Sequence, residues 1–134
     1  MMNKYLLDTH IFLWFFFDSQ KLPKNISKVL INPENELYIS AVSFWEISIK
    51  FESGKLNLGN FSPSDLKNLA LQNKIIPTNL SSDTSSTFHN LKTSYHKDPF
   101  DRILIWQCIT DDYIFLTEDD NIKLYRSEGL KIIE

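Results

Sequence analysis

Short apolar runs alternate with helix-length segments along this 134-residue chain. The short runs are typical of buried strands, and the longer segments end at breakers such as Asn32-Pro33 and Gly54. Strands that alternate with helices predict an α/β fold in which helices cover both faces of a parallel sheet. The predicted strands are residues 4–7, 37–41, 74–78, 113–117 and 130–133; the predicted helices are residues 9–17, 22–32, 43–53, 64–73, 82–94, 98–110 and 119–125.

Four acidic residues stand near the ends of these strands or at the starts of the helices that follow them. They are Asp8, Glu46, Asp101 and Asp119. The carboxyl ends of parallel strands share one edge of a sheet, and open α/β sheets bind ligands at that edge. Carboxylates gathered there repel one another unless a cation holds them. We therefore expect a site for Mg²⁺ or Mn²⁺ made of oxygen ligands, and such an ion can bind a phosphoryl oxygen and activate water.

Helix capping explains each acid almost as well when it is considered alone. Asp8 suits the cap of the helix that follows it, and Ser43-Phe44-Trp45-Glu46 fits the capping box S-x-x-E. Asp98 suits an N-cap before Pro99, and Asp101 then lies in the first turn, where the helix dipole favours an acid. Capping would accept Ser, Thr or Asn equally, so the repeated use of carboxylates favours the metal site.

Composition narrows the class of protein. The length predicts one domain over residues 1–134, and the single cysteine, Cys108, excludes a disulfide framework and a cysteine-based zinc site. The net charge of −3 argues against a protein that coats nucleic acid by bulk charge, but it does not exclude a nuclease. Asp8 and His10 interrupt the apolar N-terminal run, and residues 11–17 are too short to cross a bilayer, so we expect no membrane association and a cytoplasmic location.

The run from Ile11 to Phe17 is apolar without a break. A surface helix needs only an apolar stripe to face the core, so part of this helix has apolar side chains in excess. Two interpretations stay open: the helix is buried in the middle of the domain, or a second subunit or partner peptide covers its outer face.

Four segments occur in a specific order and spacing: residues 5–10 (YLLDTH), 43–50 (SFWEISIK) with 54–56 (GKL), 96–102 (HKDPFDR) and 116–119 (LTED). In this order and spacing they resemble the PIN domain, and most closely the VapC-type toxins of bacterial toxin–antitoxin pairs. Together they span nearly the whole chain.

The resemblance implies a three-layer α/β/α fold with a central parallel sheet, and an Mg²⁺- or Mn²⁺-dependent ribonuclease that hydrolyses RNA phosphodiester bonds. It implies a homodimer whose site is covered by a cognate antitoxin, which would account for the aromatic excess in the first helix. Asp119 and Asp120 are adjacent, so a shift of one residue would make Asp120 the fourth acid. By position, the metal-binding and catalytic acids are Asp8, Glu46, Asp101 and Asp119; Thr9, Asp98 and Thr117 lie beside them.

Several basic and aromatic residues have two interpretations each. Lys50, Lys97 and Arg102 are candidate phosphate contacts or solvated surface residues. His96 is a candidate for contact with the leaving group or a phosphate, or is merely exposed. We expect structural roles for His10 and His89, and core positions for Trp45 and Trp106.

Two other functions are compatible with an α/β chain of this length. A receiver-like phospho-acceptor domain needs an acceptor aspartate after a middle strand, and the third strand, Lys74-Ile75-Ile76-Pro77-Thr78, offers none. A PIN-like module that binds RNA or protein without cleaving it would not need all four acids.

Overall fold

The computed structural model describes residues 3–133, which contain a five-stranded sheet. All strand pairs are parallel, and the strand order is β3-β2-β1-β4-β5. This order differs from the 2-1-3-4-5 order of receiver-type sheets, so the receiver interpretation is wrong. The strands are β1 (Lys4–Leu7), β2 (Glu36–Ser40), β3 (Ile75–Thr78), β4 (Ile114–Leu116) and β5 (Lys131–Ile132).

Helices cover both faces of this sheet, as predicted. Tyr5 and Leu7 of β1 point to one face, where they share a core with Ile11 and Ile47. Leu6 points to the opposite face and packs with a second core of buried residues. The three-layer fold is therefore confirmed by the alternation of side chains along β1. The helices are α1 (Thr9–Phe17), α2 (Lys24–Ile31), α3 (Ala41–Glu52), α4 (Leu66–Gln72), α5 (Ser82–Ser86), α6 (Pro99–Asp111) and α7 (Asp120–Lys123).

The predicted helix over residues 82–94 is wrong beyond Ser86. Helix α5 ends there, and a short 3₁₀ turn, Phe88–Asn90, follows. The hydroxyl of Ser85 donates to the Ser81 carbonyl, and that of Thr87 donates to the Asp83 carbonyl. Such bonds from short polar side chains compete with helix propagation and explain the early end.

Helix α1 divides its apolar side chains between the core and the surface. Ile11 and Phe12 are fully buried, whereas Phe17 is 36% exposed. Trp14 and Phe16 are partly buried against the core. The domain's own core thus covers one side of α1, and its outer side keeps aromatic surface. Within residues 3–133, no helix has the length and apolar character needed to span a membrane.

The parallel register brings distant parts of the chain to one edge. Leu7 at the end of β1 pairs with Leu116 at the end of β4, and the Asp8 amide donates to the Leu116 carbonyl at 3.0 Å. Strand β2 ends beside them at Ser40 and leads directly into α3. Residues that follow β1, β2 and β4 therefore meet at the carboxyl edge of the sheet.

Candidate metal centre

Asp8 is almost completely buried, with 1% of its surface exposed, and it does not cap α1 through its side chain. Its Oδ2 accepts a hydrogen bond of 2.7 Å from the Thr117 hydroxyl. Its Oδ1 has no hydrogen-bond partner among the described residues. Since a buried carboxylate oxygen without a partner is costly, helix capping does not explain this residue.

Glu46 is also buried, and the predicted capping box around it is wrong. Helix α3 begins earlier, at Ala41, because the Ser40 hydroxyl caps it by accepting from the Val42 amide at 3.1 Å. Glu46 therefore lies in the second turn. Its Oε2 accepts from Lys50 Nζ at 2.6 Å, and its Oε1 has no hydrogen-bond partner within the described part of the chain.

Ser43 does not cap α3 and instead forms a hydrogen bond beside the site. Its hydroxyl is buried and accepts a hydrogen bond of 2.8 Å from the Thr9 hydroxyl. This contact ties the start of α1, next to Asp8, to the helix that carries Glu46. Thr9 and Thr117 therefore brace the buried acids from two sides.

Asp98 and Asp101 come from the start of α6. The Asp98 side chain caps this helix, because its Oδ1 accepts from the amides of Phe100 at 2.8 Å and Asp101 at 3.4 Å. This agrees with the predicted cap. Asp101 lies in the first turn of the helix, and its Oδ2 is 3.2 Å from His96 Nε2.

Asp119, rather than its neighbour, completes the acidic group. Its Oδ2 is 3.1 Å from His96 Nε2, and one ligand atom from each of His96, Asp101 and Asp119 lies within 4.8 Å of the other two. Asp120 is 95% exposed and pairs with Lys123 at 3.5 Å. The structure thus brings Asp119 into the group and leaves Asp120 outside it.

A cavity of about 110 Å³ lies between these elements. It leaves room for an ion with several waters, the form in which Mg²⁺ is usually bound. The residues that line it are Asp8, Thr9, His10, Leu13, Glu46, Ile47, Lys50, Asp98 and Asp101.

The crowding of acids changes the proton affinity of the site. Burial, together with the negative charges of Asp8 and Asp98, raises the pKa of Asp101 to about 7, although His96 acts in the opposite direction. The raised pKa reflects burial first and then the negative charges of neighbouring acids. A divalent cation would offset those charges.

His10 and Glu118 are site residues that the sequence did not reveal. His10 was expected to be structural, but it lines the cavity, with Nδ1 3.4 Å from Asp8 Oδ1 and Nε2 3.1 Å from Glu118 Oε1. Burial works against charge on this ring, yet the two carboxylates outweigh burial and raise the pKa of His10 to about 9. The spacing of His10 two residues after Asp8 was the available signal.

Arg102 makes structural contacts in the fold, and its role as a phosphate contact stays a prediction. Its Nη2 donates to the carbonyls of Leu91 at 3.2 Å and Thr93 at 3.0 Å. Its guanidinium also lies over the Phe88 ring, 5.0 Å from the centroid. Arg102 holds the segment before α6 in place.

The two tryptophans differ. Trp45 is 62% exposed, so its predicted core position is wrong. Its ring packs edge to face against that of Phe100, with 5.2 Å between the ring centroids. Trp106 packs against the core and donates to the Thr87 hydroxyl at 3.1 Å, which confirms its core position. Lys97 and His89 are exposed.

The fold and cavity together define a class: parallel α/β proteins with a pocket of carboxylates at the carboxyl edge of the sheet. The family model described as the PIN domain matches residues 5–127. The chain belongs to the PIN-domain family, and the predicted family is confirmed.

Individual relatives agree with this assignment. The chain is 26% identical over 125 residues to "Ribonuclease VapC22" of Mycobacterium tuberculosis (strain ATCC 25618 / H37Rv), covering 93% of this chain and 94% of the relative. Its structure is similar to VapBC2 from Rickettsia felis bound to a promoter DNA fragment, with a TM-score of 0.68, 17% identity and 97% of each chain covered. It is equally similar to VapBC-1 from nontypeable Haemophilus influenzae, with a TM-score of 0.68, 16% identity and 98% and 97% covered.

Proposed function

We propose that this protein is a divalent-metal-dependent endoribonuclease and the toxin of a toxin–antitoxin pair. The observation that carries the proposal is the pair of buried carboxylates, Asp8 and Glu46. Each presents an oxygen without a hydrogen-bond partner among residues 3–133, and both line one cavity with Asp101. Both acids have a cationic neighbour, since Lys50 pairs with Glu46 at 2.6 Å and His10 lies 3.4 Å from Asp8, yet these oxygens keep no hydrogen bond.

The donor set fits Mg²⁺ or Mn²⁺. Asp8, Glu46 and Asp101 line the cavity and offer carboxylate oxygens, which hard cations prefer; Asp119 does not line it but has an oxygen within 4.8 Å of one of Asp101. When bound, such an ion supplies Lewis-acid stabilisation of a phosphoryl oxygen and a more acidic water. Lys50, Thr9 and Thr117 supply the other interactions around the acids.

This chain's own residues orient the site and receive the phosphate. Thr117 holds Asp8 by a hydrogen bond to Oδ2, and Oδ1 keeps no hydrogen bond although His10 Nδ1 lies 3.4 Å from it. Lys50 is 46% exposed and lines the cavity. Burial lowers the pKa of its ammonium group, but the neighbouring Glu46 outweighs burial and the pKa is raised, so the group stays positively charged. It is the cation placed to contact an RNA phosphate as it enters.

The similarity to a protein named as a ribonuclease and to VapBC structures supports RNA as substrate and an antitoxin as partner. The antitoxin would cover the outer aromatic face of α1, where Phe17 is exposed. A homodimer and a cytoplasmic location belong to the same proposal.

A cleavage assay with one matched control tests this function. Purified protein is incubated with total cellular RNA and Mn²⁺, and the products are compared for wild type, Asp8→Asn and Asp120→Asn. We expect cleavage that requires the metal, is lost in Asp8→Asn and persists in Asp120→Asn, because Asp120 is exposed and paired elsewhere. Equal activity of wild type and Asp8→Asn, or no cleavage by wild type with Mn²⁺, would overturn the proposal.

A further inference from the structure

His96 lies between two of the acids, and both of its ring nitrogens have defined partners. Nε2 is 3.1 Å from Asp119 Oδ2 and 3.2 Å from Asp101 Oδ2. Nδ1 accepts a hydrogen bond of 3.2 Å from the backbone amide of Asp98. The side chain is 18% exposed, so this geometry is held inside the protein rather than on a solvated surface.

The Asp98 contact decides which nitrogen carries the hydrogen. A backbone amide can only donate, so Nδ1 must present its lone pair to it. The hydrogen of the neutral ring is then on Nε2, and it faces the two carboxylates. Each nitrogen is thereby matched to a partner of the opposite kind.

We propose that His96 is a positioning residue whose Nε2–H bridges Asp101 and Asp119 and fixes their spacing for an all-oxygen metal site. It does not itself bind the ion. Ligation through Nε2 would need a lone pair there and would move the hydrogen to Nδ1, where it would meet the Asp98 N–H. The inference rests on the proposed function, because it concerns the acids assigned there to the metal.

The loop that carries His96 is anchored independently of any ion. The Tyr125 hydroxyl accepts from the His96 amide at 3.2 Å and donates to the Thr93 carbonyl at 3.1 Å. Glu128 accepts from the amides of Lys92 at 2.8 Å and Thr93 at 3.1 Å. The ring is thus held in place before the ion arrives, which is what a positioning residue requires.

The position of the hydrogen on the His96 ring affects which ion the site selects. Imidazole ligands favour borderline ions such as Zn²⁺ and Ni²⁺, whereas oxygen-only sites suit Mg²⁺ and Mn²⁺. By turning an N–H rather than a lone pair to the acids, His96 removes the nitrogen ligand that would attract the borderline ions.

The direct test is nitrogen NMR of the ¹⁵N-labelled 134-residue chain, without metal and with Mg²⁺ alone. We expect the His96 ring to show hydrogen on Nε2 and none on Nδ1 in both samples. Hydrogen on Nδ1 in either sample, or loss of the Nε2 hydrogen when Mg²⁺ is added, would overturn the inference.

A pair of variants separates positioning from bulk packing. His96→Gln keeps an N–H donor, whereas His96→Leu fills the space without one. Loss of a hydrogen-bond partner of metal-binding carboxylates typically weakens metal affinity by about 10- to 100-fold. In calorimetric titrations with Mg²⁺ we expect that loss for His96→Leu and near-wild-type affinity for His96→Gln, with thermal melts to confirm that both fold.

The possible failures are distinguishable. If wild type binds Mg²⁺ and His96→Leu binds it equally well, the positioning role is wrong and the proposed function stands. If wild type binds neither Mg²⁺ nor Mn²⁺, the metal site of the proposed function fails, and the positioning role fails with it.

Discussion

The two edges of the sheet differ in how their charged side chains are paired. At the amino edge, Lys4 at the start of β1 lies 4.9 Å from the centroid of the Tyr113 ring and 5.9 Å from that of Tyr38. Lys131 at the start of β5 pairs with Asp112 at 2.7 Å. These charges have nearby partners and leave this edge with a structural role.

The carboxyl edge gathers acids in excess of bases. Asp8, Glu46 and Asp101 share one cavity with a single lysine, Lys50, and two buried carboxylate oxygens have no hydrogen-bond partner within residues 3–133. The carboxyl edge, where strand ends and helix starts converge, therefore keeps buried carboxylate oxygens without hydrogen bonds even though Glu46 is paired with Lys50 and Asp8 lies 3.4 Å from His10. In open α/β sheets this is the edge at which a ligand binds.

The largest expected effect comes from Glu46→Gln, which removes one charge from the carboxyl edge. Loss of a direct ligand should exceed the roughly 100-fold loss that removal of a ligand's partner causes. We expect RNA cleavage with Mn²⁺ to fall by more than about 100-fold while the metal-free protein stays folded, because glutamine keeps the size of the side chain and an oxygen that accepts from Lys50. Cleavage rates and thermal melts measure this, and Glu34→Gln, at an exposed position in a turn, is the control. An active Glu46→Gln would break the contrast between the edges.

Addition of Mg²⁺ should stabilise the folded chain through the carboxyl edge alone. Binding to the folded state contributes about 2.7 kcal/mol when the free ion is at 100 times its Kd. For a chain of this size that corresponds to a rise in Tm of about 10 °C. We expect calorimetry to show this rise for wild type, its reversal by EDTA, and its absence in Asp8→Asn. A similar rise in Asp8→Asn would place the ion elsewhere.

The sequence predicted the strands and most of the helices, because these depend on local pattern, and it singled out the acids that the structure places near the carboxyl edge. The periodicity of apolar residues and the helix-breaking residues identify β1 and α1. The carboxylates after several strands indicate the edge that these strands share. The choice of Asp119 over Asp120 needed the structure, since only the fold shows that one faces His96 and the other faces solvent.

The errors share a cause, which is that local pattern cannot show what lies across the sheet. The capping box at Glu46 failed because Ser40 competes for the cap and starts α3 earlier. His10 was missed because its partner Glu118 is 108 residues away and is brought near only by the pairing of β1 with β4. The exposure of Trp45 depends equally on how α3 and α6 pack together.

Replacement of Arg102 by methionine tests whether the residue next to Asp101 belongs to the chemistry or to the scaffold. Hydrogen bonds to charged groups contribute about 1.5–3 kcal/mol, and Arg102 makes two to backbone carbonyls. We expect a loss of about 2 kcal/mol in the free energy of unfolding in urea. The KM for RNA should stay near that of wild type below the melting range. A large rise in KM with unchanged stability would support Arg102 as a phosphate contact.

The metal-free protein should lose stability as the pH rises, and Asp101 sets one part of that loss. Its pKa is about 7 in the folded chain against an ordinary 3.8, so the folded state holds the proton more tightly. The resulting stabilisation is full below about pH 4 and is lost as the pH rises to about 7. Solvent reaching the carboxyl keeps the effect below that of Mg²⁺.

Thermal melts in EDTA from pH 4 to 9 measure this, with Asp101→Asn as the comparison. The variant should lose the slope between pH 4 and 7 and keep the slope due to His10, whose pKa of about 9 against 6.5 removes stability as the pH rises through 9. Parallel profiles for wild type and variant between pH 4 and 7 would contradict the crowding of acids at this edge.

The smallest effect is expected at the amino edge, from Lys4→Met. The substitution keeps the apolar stem of the side chain and removes the charge over the Tyr113 and Tyr38 rings. A cation–π contact at a partly exposed position contributes about 0.5–1 kcal/mol, so the free energy of unfolding should fall by that amount. A double-mutant cycle with Tyr113→Leu isolates the interaction. Because the amino edge lies at the opposite end of the strands, RNA cleavage and Mg²⁺ affinity should not change; a change in either would mean that the two edges are coupled rather than independent.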